Sequence, residues 1–290
     1  MMGMSRGNRR GRTRWLAAAC SATAVAASLA APSGPAVAAT PRTIVQGGAQ
    51  PTPNAGPSNS RATKKGPYIS PNWAGFAVTG SPVTGVAGSW TQPSAVCPGT
   101  KAEQSAFWVG IDGFSKLDPT VEQVGTDADC TKGTKKHPGG PAYYAWYEMY
   151  PLPLFELSPG TYVVEPGDVL SASVQVSGLS YVLTISSSRG WSYSTTQPGG
   201  TPAPLDESAE WIAEDPSTCT ATKCTTVPMA DFGSVNFSGA TVDGSLPVNS
   251  TSLSDTLITM AKNKKPTGVK ASTTALGAGG NSFTITWVAI

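Results

Sequence analysis

The stretch Ala209-Glu210-Trp211-Ile212-Ala213-Glu214-Asp215 alternates with a period of two. As an extended strand it turns Ala209, Trp211 and Ala213 to one side and Glu210, Ile212 and Glu214 to the other. The first side is apolar and suits a core. The second carries two carboxylates towards water or a cleft, and on spacing alone an ordinary solvated sheet face accounts for them. Similar short runs flank it at 85–91, 105–111, 143–150, 169–176, 181–187 and 282–288. Turn residues punctuate them, among them Pro159-Gly160, Gly167-Asp168 and Gly279-Gly280. No long segment shows a 3.6-residue period. Regular short strands from about Ser70 to the last residue predict an all-β fold, a β-sandwich of two antiparallel sheets.

Composition agrees. Only 13% of the 290 residues are charged, while Gly 32 and Pro 25 make up nearly a fifth. Long surface helices need Glu, Lys and Arg on their outer face, so coiled coils and Rossmann-type enzymes are disfavoured. The net charge of +2 hides a segregation. Residues 1–68 carry nine basic residues and no acid, leaving 11 Lys+Arg against 18 Asp+Glu over 69–290, a net charge of −7. An acidic body argues against nucleic acid as a partner.

The first 39 residues read as an export signal. Arg6, Arg9, Arg10, Arg12 and Arg14 precede an Ala-rich apolar run, and Ala36-Val37-Ala38 offers a small-residue cleavage site. The run is too short and too interrupted for a membrane anchor. The expectation is therefore a secreted, extracellular protein with no membrane association after cleavage; the export route stays open. Residues 40–68 hold few large apolar groups and predict a disordered leader, either a short propeptide or a passive linker. A single domain follows over 69–290, expected to be monomeric.

Cleavage removes Cys20 and leaves Cys97, Cys130, Cys219 and Cys224. Four cysteines in a secreted chain allow three disulfide pairings. The short Thr-rich separation of Cys219 and Cys224 favours a bridge at a hairpin end, which leaves Cys97–Cys130.

Most catalytic machinery is missing from the sequence. His137 is the lone histidine and sits among Lys135, Lys136, Pro138 and Gly139, so Ser-His and Cys-His mechanisms lack a base. No metal-binding spacing and no phosphate loop occur, and neither metal nor cofactor is expected. Carboxylates, amides and aromatics remain. They suit hydrolysis in which a carboxylate activates water and an amide stabilises an oxyanion. Such groups concentrate in Asn72-Trp73-Ala74-Gly75, in Trp108-Val109-Gly110-Ile111-Asp112-Gly113, in Glu122-Gln123-Val124-Gly125-Thr126-Asp127, in Ala145-Trp146-Tyr147-Glu148-Met149-Tyr150-Pro151 and in the 209–215 stretch.

Taken in this order, followed by the short Cys219–Cys224 loop and Val227-Pro228, these segments resemble the glutamic peptidases, or eqolisins, in a secreted, bacterial-type form. The resemblance covers roughly 70–290. It implies two packed, curved sheets, concanavalin- or jelly-roll-like, with a cleft on a concave face. It implies an endopeptidase acting on peptides or unfolded proteins through a Gln/Glu dyad. Gln123 takes the place of the catalytic glutamine and Glu214 that of the catalytic glutamate, with Glu210 as runner-up on the same strand face. Trp73, Trp108, Asp112, Trp146 and Glu148 match positions lining the family's cleft. Two features depart from the fungal pattern. The gap from Asp112 to Gln123 is one residue longer, and the usual cysteine between them is absent. A carboxylate base also implies activity at acidic pH, where it is ionised while a proton for the leaving group is at hand. The competing class is a carbohydrate-binding or carbohydrate-active sandwich. A retaining glycosidase needs carboxyls about 5 Å apart, whereas Glu210 and Glu214 would stand roughly 13 Å apart along a strand.

Overall fold

In the computed structural model, residues 46–47, 67–80, 82–115, 118–219, 224–262 and 268–288 are described, without side chains at 46–47, 218–219 and 224–226. The expected signal peptide lies outside these residues, as does the leader apart from 46–47 and 67–68.

The described residues form strands and no helix, with apolar and polar residues alternating in those that have one wet face. In chain order they are β1 (Gln46–Gly47), β2 (Tyr68–Ser70), β3 (Trp73–Thr79), β4 (Gly85–Thr91), β5 (Ala106–Ile111), β6 (Val121–Cys130) and β7 (Pro141–Tyr150). Then come β8 (Phe155–Glu156), β9 (Val169–Ser177), β10 (Ser180–Ser187), β11 (Ser192–Pro198), β12 (Ser208–Glu214), β13 (Ser217–Cys219) and β14 (Cys224–Thr226). The last are β15 (Ser234–Val242), β16 (Leu246–Pro247), β17 (Ser254–Ala261), β18 (Val269–Thr273) and β19 (Phe283–Trp287). The segments read from sequence as strands are β4, β5, β7, β9, β10, β12 and β19, with ends shifted by a residue or two.

The strands hydrogen-bond in the order β11-β10-β9-β4-β15-β19-β18-β17-β3-β12-β5-β6-β7-β8. All neighbours along this path are antiparallel; β2 joins β17 in parallel. The two layers of the sandwich are thus halves of one continuous sheet, folded so that β5 and β6 pack on β9 and β10, and β12 on β4 and β15. Aromatics fill the space between the layers: Phe107 meets Phe232 at 5.2 Å and Phe76 meets Phe283 at 4.8 Å between ring centroids. Two indoles also cross it, Trp211 Nε1 donating to the Ala87 carbonyl at 2.8 Å and Trp90 Nε1 to Thr126 Oγ1 at 3.0 Å.

The layers differ in burial. In β10, Tyr181, Leu183 and Ile185 face the core while Ser180, Val182, Thr184 and Ser186 look outwards, the expected pattern for a sheet with one wet face. Strands β5, β6 and β12 are buried on both faces. A second apolar cluster, including Trp73, Trp108, Trp146, Ile212 and Ile258, covers their other side. Gly75 allows the close packing this needs. Its φ is +145°, and a Cβ there would stand 2.0 Å from the Trp211 carbonyl oxygen.

Cys97 and Cys130 form a disulfide with Cα atoms 5.3 Å apart. It fastens the end of β6 to the loop after β4, beside the Glu103–Cys130 bridge. Cys219 and Cys224 are register partners at the end of the β13–β14 hairpin; their side chains lie outside the described set. In the three-stranded sheet β1-β13-β14, Gln46–Gly47 of the expected leader pairs with β13. Because Cys97 and Cys130 are 33 residues apart, replacing both with alanine is expected to lower stability in urea by about 2–4 kcal/mol. A change below about 1 kcal/mol would show that the bridge does not restrain the unfolded chain.

Candidate active site

The face of β3, β12, β5, β6 and β7 that carries Glu210 and Glu214 can be read row by row. In one row Trp73 pairs with Glu214, Glu214 with Ala106, Ala106 with Asp127 and Asp127 with Tyr144. In the next, Ile212, Trp108, Gly125 and Trp146 are partners. In the third, Ala77, Glu210, Gly110, Gln123 and Glu148 are partners. The two glutamates of β12 therefore share a face, as the alternation predicts. That face is not solvated: Glu210 is 0% exposed and Glu214 4%.

Glu214 is held by two neutral donors. Trp108 Nε1 donates to Oε2 at 2.8 Å and Asn72 Nδ2 to Oε1 at 3.3 Å. Ser70 fixes the turn that presents Asn72: its hydroxyl donates to Asn72 Oδ1 at 3.3 Å and accepts from the Trp73 amide at 3.1 Å. Trp73 stands edge-to-face with Trp108, ring centroids 5.0 Å apart. Gln123 and Glu148, directly opposed across β6 and β7, share a 2.6 Å bond from Nε2 to Oε2. Gln123 Oε1 has no hydrogen-bond partner among the described residues. Between the two groups lies Trp108. The far edge of its indole overlies Gly110, where a Cβ would meet Cζ3 at 2.9 Å and Gln123 Cβ at 3.2 Å. Only glycine leaves room for that ring, which reaches from beside Gln123 to the Glu214 carboxylate.

The model for peptidase A4 matches residues 71–287. The chain belongs to the peptidase A4 family. It is a glutamic endopeptidase acting on peptides, and the carbohydrate-directed alternative falls away. Scytalido-glutamic peptidase, solved with a peptide-based transition-state analogue, superposes with a TM-score of 0.59 at 25% identity, over 75% of this chain and 98% of that one. SCP-B, an eqolisin solved with the tripeptide Ala-Ile-His, shares the fold at a TM-score of 0.53 and 23% identity, over 75% and 98% of the two chains. No curated protein sequence matches the peptidase.

The remaining expected site residues divide between two places. Trp146 Nε1 donates to Asp127 Oδ1 at 2.6 Å, and Tyr144 bridges Asp127 and Asp129 at 2.8 and 3.0 Å. Burial pushes Asp129 up to about 6, against the pull of hydrogen bonds from Gln104 and Tyr144. Asp112 stands apart from Glu214, past the end of β5 at a φ of +72°. Its carboxyl accepts from the backbone amides of Leu205, Asp206 and Glu207 at 2.7–3.0 Å. Its place is a cap on the loop leading into β12.

Asp112 belongs to a buried acidic group with Asp118, Glu122 and Glu210, gathered where β5 ends and β6 and β12 begin. None of the four has an ion-pair partner among the described residues. Burial, then Asp118, pushes Asp112 up to about 8. Burial, then Asp112 and Asp118, pushes Glu122 up to about 9. Glu210 rises well above the ordinary range through burial, opposed by the Ser208 hydroxyl and reinforced by the neighbouring acids. Burial beside other acids favours the protonated form of Asp112, Glu122 and Glu210. Asn72 received no role in the sequence reading, although it opens the Asn72-Trp73-Ala74-Gly75 segment; its partner Glu214 lies 142 residues away.

The sign of the pH effect follows. In the unfolded chain these carboxyls ionise near pH 4, whereas in the folded chain Asp112 and Glu122 keep their protons to about pH 8–9. Their contribution is complete in acid and is lost as pH rises through that window. The urea midpoint is expected to fall from about pH 4 to about pH 8, with stability changing by about 1.4 kcal/mol per pH unit for each proton retained. Glu122→Gln should reduce the slope. A midpoint that is flat or rises with pH would exclude neutral buried carboxyls.

Proposed function

We propose that this peptidase is secreted and acid-active, with Glu214 as general base and Gln123 as oxyanion donor. The observation that carries the assignment is the contrast between the two glutamates of β12. Row register alone would pair Gln123 with Glu210 across Gly110. Glu210 is buried among other acids with no cation, so it holds a proton and cannot take one. Glu214 instead accepts from Trp108 and Asn72, donors that suit a charged carboxylate.

In this mechanism Glu214 takes a proton from water as the water oxygen bonds to the scissile carbonyl carbon. The carbonyl electron pair moves onto oxygen. One N–H of Gln123 is engaged by Glu148, which orients the amide and leaves its second N–H for the oxyanion. Glu214 then returns the proton to the leaving nitrogen as the C–N bond breaks. Trp73, Trp108 and Trp146 are buried together in one apolar cluster on the same sheet face as Glu214 and Gln123. Acid activity is supported by the neutral carboxyl group described above. The Ala-rich signal motif supports secretion.

Digestion of a denatured protein at acidic pH tests the dyad. Glu214→Gln is expected to lose about 10²–10⁴ in kcat, and Gln123→Ala about 10²–10³, with the fold retained. Full activity in either rejects the dyad. An inactive Glu210→Gln beside an active Glu214→Gln would move the base to Glu210.

The leader bears on the same site. Its basic residues Arg42, Arg61, Lys64 and Lys65 complement an acidic body, and we read it as an inhibitory segment released in acid. A chain beginning at Tyr68 is expected to outpace one beginning at Thr40 until the longer one is trimmed near Lys64-Lys65. Equal activities with no acid-triggered trimming would make the segment a passive linker.

A further inference from the structure

Directly beside the proposed base lies a buried ion pair that the chemistry does not use. Lys270, on β18, is 6% exposed, and Asp215, the residue after Glu214, is 2% exposed. The Lys270 ammonium pairs with Asp215 Oδ2 and also donates to the Pro71 carbonyl at 2.9 Å. Pro71 immediately precedes Asn72. The Asp215 amide closes the loop by donating to the Asn72 carbonyl at 2.8 Å. One cation from β18 thus ties the backbone just before Asn72 to the residue just after Glu214, the two segments whose side chains meet at Glu214 Oε1.

A stabilising role explains this pair poorly. Two desolvated charges recover little from their attraction, and replacing such a pair with apolar groups of similar size is often neutral or stabilising. Here the desolvation is visible: burial pushes Asp215 up to about 6 although Lys270 pulls the other way. Asp215 Oδ1 is left without a partner as well. What the pair supplies is geometry. Asn72 reaches Glu214 from the end of the short β2–β3 turn, at 3.3 Å, a contact that a small displacement of either segment would break. One ammonium on β18 has a partner on each of the two segments, the Pro71 carbonyl and the Asp215 carboxylate.

We propose that Lys270, through Asp215 and the Pro71 carbonyl, is a positioning residue that holds Asn72 against the Glu214 carboxylate. The inference rests on Glu214 being the base. It predicts loss of turnover without loss of substrate binding or of fold.

The test replaces the pair together, Lys270→Met with Asp215→Leu, so that no charge is left buried and unpaired. This double variant is expected to unfold at a urea midpoint at or above that of the parent, with kcat lower by about 10- to 100-fold and KM changed less than about threefold. Asn72→Ala should lower kcat similarly. Combined with the pair replacement it should add little further loss, because both act on the same contact. Parental kcat in the folded double variant, or losses that multiply in full when combined with Asn72→Ala, would overturn the proposal. Glu214→Gln measured alongside keeps the two readings separate. If it is fully active, the base assignment fails first. If it is inactive while the pair replacement is harmless, only the role of Lys270 fails.

Discussion

Strand β12 is hydrogen-bonded along both edges, to β3 and to β5, and covered on both faces. A strand so enclosed cannot slip. A shift of one residue would send Glu210 and Glu214 between the layers, among Phe107, Val235 and Phe237, and turn Trp211 outwards. Burying two acids there would cost far more than any regained ladder bond. The register of β12 then sets that of β5, and β5 sets that of β6 and β7. The placing of Trp108 between Glu214 and Gln123, and of Glu148 opposite Gln123, follows from that one alignment.

The same strand holds two glutamates in opposite electrostatic settings. At its start, Glu210 shares a cation-free environment with Asp112, Asp118 and Glu122, and burial keeps it neutral. At its end, Glu214 receives an indole and an amide hydrogen bond and lies next to the Lys270–Asp215 pair. Residue type is identical; the surroundings differ, acids around Glu210 and neutral hydrogen-bond donors at Glu214. Burial raises Asp112, Glu122 and Glu210 above the ordinary carboxylate range, whereas Glu214 accepts from Trp108 and Asn72.

Much of the architecture was legible. Segments whose outer face is wet, such as β9 and β10, announce themselves by strict alternation, and β12 did so through its small-large apolar set. Strand β6 did not. It is the long spine of the site, buried along its whole length, yet it carries Glu122, Gln123, Thr126, Asp127 and Asp129. Acids and amides on both faces erase the period of two, so it read as a motif rather than a strand. The Cys97–Cys130 bridge was reached by exclusion and is present. The expected antiparallel β-sandwich is present, and its two layers are hydrogen-bonded into one path of strands, a continuity set by long-range pairing that local patterns do not carry.

Local spacing determined, from the sequence by itself, the all-β class and the faces of β12, while the resemblance of ordered short motifs to the glutamic peptidases pointed to Gln123 and Glu214. These depend on residues a few positions apart, where the geometry of an extended chain is nearly invariant. Only the tertiary structure decided which neighbours each glutamate of β12 receives, that Asp112 caps a loop away from Glu214, and that Asn72 and Lys270 converge on the end of β12. Each of those outcomes depends on partners as far as 199 residues apart in the chain and on how completely water is excluded around them. Neither pairing at that range nor burial is encoded in local spacing, since both arise only when the sheet folds over on itself.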